Sequence, residues 1–291
     1  MNRFLLGAPA LFAVLSCASA AAQPAPSAAV ATEAPRHVVL PVHNAVLSER
    51  PTRKQLVRRI VPHNVRLVVT EGGKSRRTAS GVVIGTERTD KGVASYIITN
   101  AHAVDVDDLK APKMVITQER QAELSEYPVE VVATGQVPDM DLALLRVHGV
   151  ELSPAELAGD TELELGEDVV VAACPFGKSL SLSGGMLSQV EWDRESKSPK
   201  MVKTDAPIGY GASGGGIFSL ETGKLLAIVE GYRTAKVGFA VADKDYSFDV
   251  PMPGETFAAP TSKVRGFLES KGYGRLLSRG SAGELEQTAQ R

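Results

Sequence analysis

Tyr96-Ile97-Ile98-Thr99-Asn100-Ala101-His102-Ala103 is the stretch from which the fold can be read. Its first four residues are β-branched or aromatic, the types that fit a pleated surface. A polar Asn100 then breaks the run, and His102 stands just past the strand end, where a rigid element can hold an imidazole in place. Similar short runs recur on both sides, at 65–70, 81–85, 114–117, 129–134, 142–147, 169–173, 186–190 and 225–230. Gly, Pro, Asp and Lys separate them, and their spacing predicts an all-β domain, an antiparallel sandwich or barrel. Helical periodicity is scarce. Its best instance starts near Thr261-Ser262 and stops at Gly272, where glycine ends a helix readily.

The remaining chemistry-bearing residues follow His102 in sequence. Pro138-Asp139-Met140-Asp141 leads into the apolar run Leu142-Ala143-Leu144-Leu145, so Asp141 can be buried beside an imidazole. Asp139 lies two residues earlier and would share its face in an extended chain, so spacing alone leaves both open. Asp105, Asp107 and Asp108 read as the coat of a loop. Gly211-Ala212-Ser213-Gly214-Gly215-Gly216 precedes Ile217-Phe218. A glycine at 211 lets the backbone turn an amide toward a reacting carbonyl, which a side chain would crowd. A hydroxyl nucleophile needs a base, a group that orients the base, and donors for the oxyanion. His102, a carboxylate, Ser213 and the amides of Gly211 and Ser213 are candidates for these parts. They run in the order His, Asp, Ser, as in chymotrypsin-type β-barrels. The bland alternative for the glycine run is a hairpin turn. His37, His43, His63 and His148 lack a comparable setting.

Together these segments resemble the trypsin-like protease domain of the HtrA (DegP-like) group of bacterial periplasmic proteases. Thr99-Asn100-Ala101-His102 resembles the group's catalytic-histidine motif. Asp141-Leu142-Ala143-Leu144 resembles its Asp-Ile/Leu-Ala-Leu motif, and this resemblance selects Asp141 over Asp139. Gly211-Ala212-Ser213-Gly214-Gly215 is similar to its Gly-Asn-Ser-Gly-Gly loop, with Thr204-Asp205-Ala206 upstream. Non-catalytic marks fall in the same order: Ser80-Gly81, Gly159-Asp160, Leu165-Gly166-Glu167-Asp168, Pro175-Phe176-Gly177, Ser183-Gly184-Gly185-Met186 and Phe257-Ala258-Ala259-Pro260-Thr261. The resemblance covers about 200 residues. It implies a trypsin-like double β-barrel with a C-terminal helix, a catalytic triad of His102, Asp141 and Ser213, and an oxyanion hole from Gly211 and Ser213. A substrate pocket with Ile208, Tyr210 and Gly231 in its wall follows from the same placement. Protein or peptide substrates are expected, with activity falling in acid as His102 charges.

The chain departs from the group's pattern in several places. Ala212 stands where asparagine is usual, and Ala103 where valine is. The segment from Tyr232 to Gly254 is longer than the corresponding link, carries Asp243, Lys244, Asp245 and Asp249, and is expected near the substrate cleft. No PDZ domain is expected after the helix, nor the regulation by peptide sensing that such domains supply. Two other readings use the same residues: a non-catalytic binding protein on a protease scaffold, and an esterase with the same triad.

The rest of the chain bounds these readings. Residues 1–22 read as a signal peptide: Arg3, an apolar stretch to about Ser16, then Ala18-Ser19-Ala20 and Ala20-Ala21-Ala22. Export to the periplasm or outside the cell follows, while a competing reading makes Cys17 a lipidation site. Residues 23–60 read as an Ala/Pro-rich leader and a solvated basic segment with Arg50, Arg53, Lys54, Arg58 and Arg59. The protease domain is placed at 61–273 and a flexible tail at 274–291. No other stretch is long and apolar enough for a membrane span. Charge is balanced, 32 basic against 34 acidic side chains, which gives no reason to expect a nucleic-acid partner. His-Glu-x-x-His, paired-cysteine and EF-hand patterns are missing, so no metal or cofactor is expected. With Cys17 cleaved away, Cys174 cannot form an internal disulfide and reads as a buried structural thiol. The sequence does not fix the oligomeric state.

Overall fold

The computed structural model describes residues 50–89, 92–120, 123–241 and 244–277. The signal peptide, Cys17, His37, His43, Asp243 and most of the expected leader and tail lie outside these residues. Among the described residues, thirteen strands and three α-helices follow in chain order. The first sheet holds β1 (Asn64–Glu71), β2 (Lys74–Thr89), β3 (Gly92–Thr99), β4 (Lys113–Arg120), β5 (Glu123–Pro128), β6 (Glu130–Thr134) and β7 (Ala143–His148). Its order is β5-β4-β1-β2-β3-β7-β6, antiparallel throughout. β5 and β6 stand at opposite ends of that order, yet only Val129 separates them in the chain. The sheet must therefore curl until its ends meet, and the Val129 amide donates to Met114 of β4 at 3.2 Å.

The second sheet closes by hydrogen bonds into a six-stranded barrel. It holds β8 (Asp168–Ala173), β9 (Ser181–Trp192), β10 (Pro199–Thr204), β11 (Gly216–Ser219), β12 (Leu225–Val241) and β13 (Lys244–Pro260), in the circular order β10-β13-β12-β11-β8-β9. Closure leaves no bare strand edge within the barrel. Each unit has its own interior, around Leu67, Ile97 and Leu145 in the first and Val171, Ile217 and Val229 in the second. A third cluster binds the two: Ile98 and Leu144 from the first sheet meet Phe218 and Ile228 from the second, with Val264, Phe267 and Leu268 of the final helix packed on. The expected all-β class with a C-terminal helix is the observed one.

Helix α1 (Arg53–Ile60) corrects the reading of the basic segment. A capping box of Thr52 and Gln55 satisfies its first amides, and Leu56 and Ile60 are buried while its arginines face outward. Two buried aliphatic side chains, each contributing roughly 1.5–3 kcal/mol, dock this two-turn helix onto the domain despite its charge. The domain thus begins before residue 61. The tail is corrected at its start as well, because Gly274–Leu276 forms a 3-10 turn and Leu276 is buried against Gly85. Ser80-Gly81 lies in the middle of β2, and the hairpin joining β1 to β2 is at Gly72-Gly73. α2 (Ala101–Val104) is a single turn after β3, and α3 (Thr261–Ser270) is the expected final helix.

The long segment after Tyr232 is a β-ribbon. β12 and β13 pair from Thr234↔Pro251 out to Val241↔Lys244, beyond the barrel wall. Val237 and Phe239 on one strand face Phe248 and Tyr246 on the other, and all four are exposed.

Candidate active site

His102 and Asp141 come from the first sheet, one on the turn after β3 and one just before β7. Since β3 and β7 are antiparallel hydrogen-bonded neighbours, Thr99 pairs with Ala143, and His102, after Thr99, meets Asp141, before Ala143, beyond that pair. The His102 Nδ1–H donates to Asp141 Oδ2 at 2.6 Å, and the His102 backbone amide donates to Asp141 Oδ1 at 2.9 Å. Asn100 holds the other side of this arrangement by donating from Nδ2 to the Asp141 carbonyl at 2.8 Å. Burial alone would push the Asp141 carboxyl up. The His102 ring and amide, with the Ala101 amide, hold it below the usual carboxylate value. Asp141 is 12% exposed, whereas the His102 ring is 44% exposed, with no partner for Nε2 among the described residues. Asp139 sits in a turn on the surface, so the extended geometry that would put it on the face of Asp141 does not form. Asp108 pairs with Arg77, and Asp105 caps the amide of Asp107, so these carboxylates do coat a loop.

Ser213 comes from the barrel, on the turn before β11. Its carbonyl accepts from the Ser80 amide at 2.8 Å, and the Ser80 carbonyl accepts from Thr99 Oγ1 at 2.7 Å, three residues before His102. This Ser80 node fastens the serine turn to the strand that presents the histidine. Gly214 must be glycine here: its φ is +82°, and a Cβ would collide with the Ser80 carbonyl. The Ser213 hydroxyl lies 3.5 Å from the Glu230 carbonyl, and no hydrogen bond joins it to His102. Glu230 in turn feels the charges of both Asp141 and His102. Residues 141, 102, 213 and 230 therefore share one neighbourhood where the two sheets face each other.

Neither Gly211 N–H nor Ser213 N–H has a partner among the described residues. Gly211 adopts φ +86°, and a Cβ there would sit 3.2 Å from the Cys174 carbonyl and the Phe176 amide. Ser80 Oγ ties the same turn down, donating to the Gly211 carbonyl and accepting from the Cys174 amide, each at 2.8 Å. Phe176, at the strained φ of 56°, donates its amide to the Tyr210 carbonyl at 2.5 Å. Ala212 is buried in the barrel interior, where a polar side chain would need a partner.

A cavity of about 280 Å³ opens beside Ser213. Ile208, Tyr210 and Gly231, the three residues expected in a substrate pocket, all line it. Tyr232, Thr234 and Asp249 complete its wall, the last two from the ribbon. Burial and bonding to Tyr210 push the Tyr232 phenol up to about 12. Ser80, Asn100, Thr99 and Asp249 were not singled out as site residues by the sequence, which marked Ser80-Gly81 as a landmark, Thr99 and Asn100 as part of the histidine motif, and Asp249 as part of a long link. His63 bonds the Ser153 carbonyl at 3.0 Å, His148 pairs with Glu130 at the surface, and Cys174 is buried, with burial pushing its thiol up to about 11.

The family model described as a trypsin-like peptidase domain matches residues 79–228, a span that contains His102, Asp141 and Ser213. Among curated proteins, the chain is 29% identical to a probable periplasmic serine endoprotease, DegP-like, of Ectopseudomonas mendocina, over 75% of this chain and 43% of that one. It is equally similar to the protein of the same description from Pseudomonas fulva, over 77% of this chain and 43% of that one. The chain thus spans less than half the length of these relatives. Among solved structures, the serine endoprotease from Yersinia pestis superposes with a TM-score of 0.54 at 22% identity, covering 79% of this chain and 68% of that one. The HtrA-type protease AlgW with tripeptide gives 0.55 at 22% identity, covering 76% and 63%. Among the described residues no helix is long and apolar enough to cross a membrane.

Proposed function

The chain belongs to the trypsin-like peptidase domain family, and from that premise we propose that it is a serine endopeptidase acting on unfolded or exported proteins. The observation that carries this reading is the 2.6 Å bond between His102 Nδ1 and Asp141 Oδ2, which leaves Nε2 as the free basic nitrogen of the ring. In the proposed step the Ser213 hydroxyl leaves the Glu230 carbonyl and turns to Nε2. As its oxygen bonds to the scissile carbonyl carbon, its proton passes to Nε2, and Asp141 stabilises the imidazolium. The unpaired amides of Gly211 and Ser213 are suited to the developing oxyanion, each such donor being worth about 2.7–4 kcal/mol. His102 then gives the proton to the leaving amine as the C–N bond breaks. Water repeats both transfers on the acyl-enzyme. Export to the periplasm or beyond fits the signal-like residues 1–22 and the periplasmic relatives.

The bond of Ser213 to Glu230 instead of His102 favours a second reading, a non-catalytic protein that binds peptides on the same scaffold. In apo enzymes catalytic hydrogen bonds are often long and tighten only with substrate. Unfolded casein separates the two. The parent should cleave it and Ser213→Ala should lose activity by about a million-fold. Casein bound but uncut by the parent, with identical behaviour of Ser213→Ala, would establish the binding protein instead.

A further inference from the structure

The cavity beside Ser213 has one charged side chain in its wall, Asp249, which arrives from the ribbon. Asp249 pairs with Lys236 across the ribbon, but no ion pair forms between them among the described residues. Two cations are engaged elsewhere, with Glu255: Lys203 of β10 lies 2.9 Å from it and Arg233, beside the ribbon's base, lies 3.6 Å from it. Asp249 therefore brings an unspent negative charge to the pocket. The Tyr210 and Tyr232 rings, 5.9 Å apart and edge to face, form the adjoining wall. Aromatic faces and a carboxylate together suit a guanidinium or alkylammonium group, through ring–cation attraction and a charge-assisted hydrogen bond. Ile208 offers an apolar surface for the methylenes that lead to such a group.

We propose that Asp249, set into the pocket by the ribbon, selects substrates with arginine or lysine immediately before the cleaved bond. The inference rests on the endopeptidase reading, because the cavity gains that meaning from its position beside Ser213. A carboxylate on an exposed ribbon remains partly hydrated, so it should discriminate by about tenfold rather than by many orders of magnitude.

The test compares kcat/KM of the full chain on two peptides that differ only in carrying arginine or its neutral isostere citrulline before the scissile bond. The arginine peptide should be favoured by about tenfold, Asp249→Asn should bring the ratio near one, and Asp249→Glu should restore most of it. Equal rates for the two peptides in the parent, or an unchanged ratio in Asp249→Asn, would overturn the proposal. A second measurement needs no catalysis: the fluorescence of p-aminobenzamidine titrated into the Ser213→Ala protein. Saturable binding that disappears when Asp249→Asn is added supports the cation pocket even if no peptide is cut, in which case only the endopeptidase reading falls. No binding, or binding indifferent to Asp249, sinks the pocket assignment itself.

Discussion

At the scale of single residues, Asp141 is held as an anion by contacts that outweigh its burial. In His102→Ala the ring bond vanishes while the amides of residues 101 and 102 remain, so the Asp141 pKa should rise, read by carbon NMR titration of the side-chain carboxyls. A carboxyl depressed in the folded state adds stability above its unfolded pKa, near 3.8, and loses it as pH falls through the folded value. The destabilisation of His102→Ala should therefore be largest near neutral pH and shrink in acid; a difference that grew in acid would contradict the account. Cys174 behaves oppositely. Burial raises its thiol to about 11, so a Cys17→Ser protein should react with a thiol reagent at pH 8 only after denaturant is added. Rapid reaction of the native protein would show the thiol to be accessible. At this scale the sequence offered His102 and Ser213 as candidates, because a strand end and a glycine run are local patterns. It was mute on the Ser80 node, since a serine inside a strand looks the same whether its hydroxyl faces water or joins two sheets.

Helix α3 acts on the site as an element. Lys263 on its first turn lies 3.1 Å from the Glu230 carboxylate, and both side chains are less than a fifth exposed. Burial raises the Glu230 pKa, while Lys263 opposes that rise. A raised carboxyl pKa favours folding below the unfolded value, near 4.5, and that contribution is lost as pH climbs through the folded value. Removing the ammonium in Lys263→Met leaves the largely buried carboxylate without its ion-pair partner, which should cost about 2 kcal/mol at neutral pH. The cost should fall below pH 4, where Glu230 protonates in both proteins; urea melts at the two pH values check this. Because the Glu230 carbonyl neighbours the Ser213 hydroxyl, a loosened helix should also disturb the turn that presents the serine. The helix itself was legible from its periodicity and Gly272, and the strands from their β-branched runs. The ribbon was read as a link near the cleft, although Ala235, Val237 and Phe239 alternate as a strand does. Strands are usually recognised because one face is buried, and this ribbon has no core beneath its outer half. α1 escaped for the complementary reason: two buried positions among four basic ones are too few to mark a face.

On the scale of the whole molecule, the proposed triad works only if the two sheets keep their relation, since the histidine and aspartate come from one and the serine from the other. Hydrogen bonds across this boundary are few, Ser80 supplying most of those at the site. Apolar packing must carry the rest, and Phe218, fully buried, lies in the cluster that joins Ile98 and Leu144 to Ile228 and Phe267. A cluster common to both sheets couples their unfolding, because neither can expose its share without stripping the other. Phe218→Ala leaves a cavity there and should cost about 3–5 kcal/mol. If the coupling is real, that loss appears equally in both halves. The single tryptophan, Trp192 on β9, reports the barrel, and exchange protection of the β3 amides reports the first sheet. In the parent and in Phe218→Ala the two probes should give coincident midpoints in urea, both displaced downward together. Separate midpoints, with β3 keeping its protection after the barrel has melted, would mean that the sheets are independent folding units and that the site is assembled by docking rather than by a shared core.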